Sequence, residues 1–96
     1  MKAIHKYNLP VCSVFELEMP EGAQVLAFAT QLNIPFIWAL VETEAPTQLR
    51  RFRLVATGEG LPENETLVHI GTQVGIQGYL VFHLFEATRT PEPNQC

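Results

Sequence analysis

Ninety-six residues, 47% apolar and 17% charged, describe one compact domain with one core, and exclude a disordered chain or a two-domain enzyme. Ten acidic residues against six Lys plus Arg give a formal charge of −4, which argues against duplex DNA or an anionic membrane as the main partner. No apolar run reaches the ~18–20 residues of a membrane span, and MKAIHKYNLP has no apolar stretch of the kind a secretory signal carries.

Lys2 to Tyr7 alternates and is bounded by Asn8-Leu9-Pro10, which reads as an opening strand. Val14 to Met19 alternates strictly, with Val14, Glu16 and Glu18 opposed to Phe15, Leu17 and Met19. Pro20-Glu21-Gly22 is a turn in which Gly22 is free to take positive φ. Ala23 to Gln31 suits either helix or strand, and its short length and flanking turns favour strand. Ile34 to Val41 is a continuous apolar run, the pattern of a strand buried on both faces, with Pro35 at its start.

Glu42 to Gln48 should loop around Pro46. Leu49 to Thr57 then alternates Phe52, Leu54 and Ala56 against Arg51, Arg53, Val55 and Thr57, and the two runs are expected to pair as a hairpin. Pro62-Glu63-Asn64-Glu65 has the composition of a short helical turn ending before Gly71. Gly75 and Gly78 punctuate the next stretch, and Tyr79 to Glu86 is a final strand with Phe82 and Phe85 on opposite faces. The fold expected is mainly β: a small antiparallel sandwich or barrel of six or seven strands with at most one short helix. The domain covers residues 1–87, and 88–96 is a tail without core residues. Cys12 and Cys96 make no disulfide framework, so reduced thiols in a cytoplasmic setting are expected.

The residues carry no catalytic signature: no nucleophile elbow, phosphate-cradling glycine loop or HExxH occurs. His5, His69 and His83 are dispersed without metal-ligand spacing, so no metal, cofactor or enzymatic activity is expected. Glu16 and Glu18 share a face, the usual pattern of a solvated strand. The arginines are the stronger feature. If the Ile34 and Leu49 runs pair, Trp38 lies beside Arg51 or Arg53, a stacking platform with charge for phosphate. A core tryptophan capped by outward-reaching arginines fits the same pattern. His69-Ile70-Gly71-Thr72 is expected in a loop that offers groups to an anion. His83 reads as a satisfied histidine between Phe82 and Leu84, and Tyr7 shares a strand face with His5.

The blocks MKAIHKY, EMPEGAQVL, IPFIWALVE, RRFRLVATGEG, HIGTQ and YLVFHLFE, in this order up to Glu86, resemble a widespread family of small phage- and prophage-encoded proteins. Compact phage proteins of this kind include sponges that capture nucleotide signals of bacterial immune systems such as CBASS and Thoeris, and the sequence resembles a member of that group. The resemblance implies a non-catalytic protein in the host bacterial cytoplasm that binds a cyclic nucleotide, with Trp38, Arg51, Arg53, His69 and Thr72 foremost and Tyr7 and His83 behind them. A 96-residue β domain has little room for a private cavity, so a homo-oligomer with the pocket between copies is expected. The alternative is a phage module that inhibits or adapts a host protein through a sheet edge or apolar patch. A small nucleotide hydrolase is the third reading, and it has no visible general base.

Overall fold

The computed structural model describes residues 1–76 and 80–88. Seven strands are present: β1 (Lys2–Asn8), β2 (Val14–Pro20), β3 (Gln24–Gln31), β4 (Ile34–Glu42), β5 (Thr47–Ala56), β6 (Leu67–Ile76) and β7 (Leu80–Ala87). They form a three-stranded sheet in the order β1-β4-β3 and a four-stranded sheet in the order β2-β5-β7-β6, with every pairing antiparallel. The small all-β sandwich read from the alternation is the fold observed, with no helix among the described residues.

Alternation explains the core. Phe15 and Met19 of β2, Phe28 of β3, Ile37, Ala39 and Val41 of β4, Phe52 and Leu54 of β5, and Phe82 and Leu84 of β7 form one buried cluster drawn from both sheets. Phe15 and Phe52 are register partners, and their rings stack at 5.7 Å. Each fully buried side chain of this size contributes about 1.5–3 kcal/mol, so the inward half of every central strand drives the collapse. Gly22 takes φ 79° in the β2–β3 turn, as expected, and Ala23 N–H closes that turn on Pro20 O at 3.1 Å. Between β3 and β4 both turn residues, Leu32 and Asn33, have positive φ, the hand that a two-residue hairpin requires.

Four expectations are corrected. The Ile34 and Leu49 runs do not pair: β4 hydrogen-bonds to β1 and β3, whereas β5 hydrogen-bonds to β2 and β7. The connection at Thr43–Pro46 instead carries the chain from one sheet to the other, anchored by Glu21 N–H on Pro46 O at 2.8 Å. The Pro62–Glu65 stretch is not helical but bends, and β6 begins at Leu67, so His69 to Thr72 lies in a strand and not a loop. Cys12 is buried and disulfide-bonded, not a free thiol. Cys96, Gly78, the Tyr79 start of the last strand and the tail beyond Thr88 lie outside the described residues. Thr88 itself is tied down, its N–H donating to Thr66 O at 2.9 Å.

The edge strands β3 and β6 also meet across the sandwich. Thr30 Oγ1 donates to Val74 O at 3.2 Å, and β6 carries glycines where it faces β3. A Cβ on Gly71 would lie 3.2 Å from Phe28 Cβ, and one on Gly75 would fall on Thr30 Oγ1 and 2.9 Å from Thr30 Cβ. Gly75→Ala should therefore destabilise the fold by about 1–3 kcal/mol, and adding Thr30→Ala should recover part of the loss. Urea unfolding of the single and double variants checks this; equal loss in both would place the strain elsewhere.

Candidate functional site

The alternation of β5 turns Phe52 and Leu54 inward and Arg51, Arg53, Val55 and Thr57 outward. Registers of the four-stranded sheet then align two rows across that outer face. Arg53 stands beside Phe85 and Phe85 beside His69; Val55 stands beside His83 and His83 beside Thr72. A bulge between His69 and Gly71 keeps both His69 and Thr72 facing outward. Of the residues singled out from sequence, Arg51, Arg53, His69, Thr72 and His83 thus share one face.

Three of them are bonded together. His69 Nε2 and Thr72 Oγ1 are 2.9 Å apart, Thr72 Oγ1 and His83 Nδ1 2.9 Å, and His83 Nε2 and Thr57 Oγ1 2.8 Å. A neutral imidazole has one donor and one acceptor nitrogen, and a hydroxyl has one proton. The chain therefore has a direction: if His83 donates from Nδ1 to Thr72, then Thr72 donates on to His69 and Thr57 donates to His83, and the reverse set is equally consistent. The His69 ring meets Phe85 edge-on at 5.2 Å. Thr57, Thr72 and His69 are exposed, so this row presents hydroxyl and imidazole edges to solvent beside an aromatic surface.

The β2–β5 side of the same face is closed by ion pairs. Arg53 donates from Nε and Nη2 to the two carboxylate oxygens of Glu65, both at 2.7 Å, and the Glu65 side chain is 1% exposed. The Arg53 hydrogen bonds hold the Glu65 carboxyl below its ordinary range against the opposing effect of burial, with the charges of Arg53 and Arg51 adding to the shift. Arg51 is buried at 3% exposure; its Nη2 lies 3.8 Å from Glu16 Oε2, and its Nε and Nη1 have no hydrogen-bond partner. On the inward side, Arg50 grips Glu86 at 2.6 and 2.8 Å and donates to Ala23 O at 2.5 Å. The bond to Glu86 pushes the Arg50 guanidinium up. Arg50, Arg51, Gln48, Glu86 and Thr88 line a cleft of about 520 Å³.

Trp38 and Tyr7 fall elsewhere, because β4 and β5 belong to different sheets. The stacking platform expected from Trp38 with Arg51 or Arg53 is not built. Trp38 stands on the outer face of the three-stranded sheet between Lys6 and Ala27 and meets the edge of Phe36 at 4.8 Å. Tyr7 packs against the core; burial pushes its phenol up, and the Arg50 charge partly opposes this. Sequence reasoning missed Thr57 and Glu65. Thr57 was visible as the last outward position of the β5 alternation, whereas nothing local marked Glu65 as the partner of Arg53.

A family model described as "Domain of unknown function (DUF7352)" matches residues 1–95. The chain belongs to that family. Neither a curated protein nor a solved structure matches it. Within the described residues of this member, no helix is long and apolar enough to cross a membrane.

Since Glu65 has a folded pKa below the unfolded one, its pairing stabilises the fold above the ordinary carboxyl range and loses that contribution as pH falls through the folded value. Glu65→Gln should cost about 2–3 kcal/mol at neutral pH, and the gap to the unmodified chain should narrow as pH drops below ~4. Urea unfolding across pH 3–7 checks this. A gap that stays constant would show that the pair contributes through packing and not charge.

Proposed function

We propose that this protein binds and sequesters a small nucleotide signal without turning it over, and that the binding surface is the outer face of the four-stranded sheet. The observation that carries the reading is the unbroken His69–Thr72–His83–Thr57 chain on an exposed face. His83 spends both ring nitrogens within the row, so a base edge is met by His69 Nδ1 and the remaining lone pairs of Thr57 and Thr72, and the His69–Phe85 pair offers a ring surface. Arg51 lies four residues along β5 from Val55, about 13 Å at the usual strand rise. Its guanidinium is buried, so it favours a phosphate at that distance through positive potential and not through direct hydrogen bonds.

The resemblance to phage-encoded sponges sets the ligand class as a cyclic oligonucleotide or ADP-ribose-type cyclic nucleotide, whose capture would silence a bacterial anti-phage defence. On this reading the protein works in the host cytoplasm, where the bridge at Cys12 would be held reduced. On this reading Arg53 acts differently from the sequence expectation: it is spent on a bidentate carboxylate partner, so it shapes the face and does not serve as the phosphate clamp. The alternative, a protein-binding module, is favoured by one observation, the exposed apolar face around Trp38.

Calorimetric titration against cyclic dinucleotides, cyclic trinucleotides and ADP-ribose-type cyclic nucleotides tests the reading. One member should bind and be recovered intact after denaturation. Thr72→Val, nearly equal in shape, should weaken that binding by about 10-fold or more with the circular dichroism unchanged. Silence across the panel, or equal affinity in the variant, would overturn the assignment; turnover of the ligand would make the protein an enzyme.

A further inference from the structure

The outer face of the three-stranded sheet is apolar and uncovered. Ile4 is 61% exposed, Leu26 47% and Trp38 38%, and with Ala27 they line a shallow depression of about 360 Å³. Nothing in the fold requires these residues outside: the inward positions Ile37, Ala39 and Val41 already supply β4's share of the core. A bulge at Val25–Ala27 turns Leu26 outward beside Trp38, which enlarges the apolar surface and does not shield it.

Charge says what can cover it. The strands of this sheet carry Lys2, Lys6 and a single carboxylate, Glu42, a formal +1 within a chain of −4. Glu42 pairs with the Met1 amino group, and the Lys6 ammonium sits 4.3 Å over the Phe36 ring. Two copies of an acidic chain repel over most of their surface, whereas this face has one carboxylate, Glu42, whose charge is matched by the Met1 amino group. On its outer side β3 contributes Gln24, Leu26, Ala27, Ala29 and Gln31, none of them charged. A two-fold axis along the strands lays the lysine-bearing β1 of each copy over the uncharged β3 of the other, so the lysines stay apart, and the Glu42 residues that meet on the central strand are each paired with a Met1 amino group.

We infer that the protein self-associates as a two-fold dimer through this face, with Trp38 at its centre. Three strands ~4.8 Å apart and roughly 25 Å long give a flat footprint of about 360 Å² per copy, about 700 Å² over both, the size of a weak interface and not an obligate one. The dimer is therefore reversible and concentration-dependent. It leaves the His69–Thr72–His83 faces open on its two far sides, so it stands independently of the nucleotide reading.

Trp38 is the sole tryptophan and reports on its own burial. Sedimentation from low to high micromolar concentration should show the mass rising from 10.8 kDa toward twice that value, with a parallel blue shift of the indole emission. Ile4→Glu and Leu26→Glu, both at exposed positions, should hold the chain monomeric and its emission red-shifted, with unchanged circular dichroism. A wild-type monomer at every concentration overturns the inference and leaves the face to a different protein. Doubling that persists in both variants, or that leaves the emission unmoved, overturns it by placing the contact elsewhere.

Discussion

Arginine–glutamate matching along β5 sets the character of the four-stranded sheet. Arg50, Arg51 and Arg53 meet Glu86 of β7, Glu16 of β2 and Glu65 of the β5–β6 connection. The two bidentate pairs are the strong ones: planar guanidinium matched to carboxylate fixes direction as well as charge, and at low exposure it is little screened. Arg53–Glu65 ties the connection between β5 and β6 back to the sheet and so decides where the outer face is closed. What remains open is the β6–β7 side, where the outward positions are a hydroxyl, two imidazoles and an aromatic ring.

Arg51 is the exception within that set. A buried guanidinium with one distant carboxylate and two unpartnered nitrogens is costly, since charge removed from water must be repaid by close hydrogen bonds. Its neighbours on the face, Arg53 and the His69–Thr72–His83 chain, are by contrast satisfied within the protein. On the proposed reading, the buried Arg51 charge biases this face toward anions, and a base edge would find groups already oriented by their mutual hydrogen bonds. Preorganisation of this kind reduces the entropy lost on binding.

Period-two alternation made the fold legible. In β2 and β5 it separated Phe15, Met19, Phe52 and Leu54 from the outward acids and arginines, and the structure keeps that division. The same alternation put Phe82 and Phe85 on opposite faces of β7, and the structure turns Phe82 inward and Phe85 outward. Pairing was not legible, because adjacency along the chain suggested a β4–β5 hairpin while the core is made by sending those strands to opposite sheets. The continuous apolar run of β4 has a related explanation: one side meets the core, and the other carries Phe36 beneath Lys6 and the half-exposed Trp38. The site was legible by residue and not by geometry. His69, Thr72 and His83 could be named from the sequence, but their contact depends on a β6–β7 register with a bulge that no local pattern announces. Glu65 was hidden for the opposite reason, since its partner lies across a turn-rich connection.

The central claim is that ligand capture occurs on the His69–Thr72–His83 face. Its most direct measurement is imidazole and backbone NMR on the isotope-labelled protein titrated with the cyclic nucleotide panel. The account predicts that the His69 and His83 ring signals and the Thr57 and Thr72 amides move together and saturate at one ligand per chain, while the Trp38 indole stays unchanged at fixed protein concentration. Perturbation centred on the Trp38 indole, with both imidazoles unmoved at saturation, would contradict it.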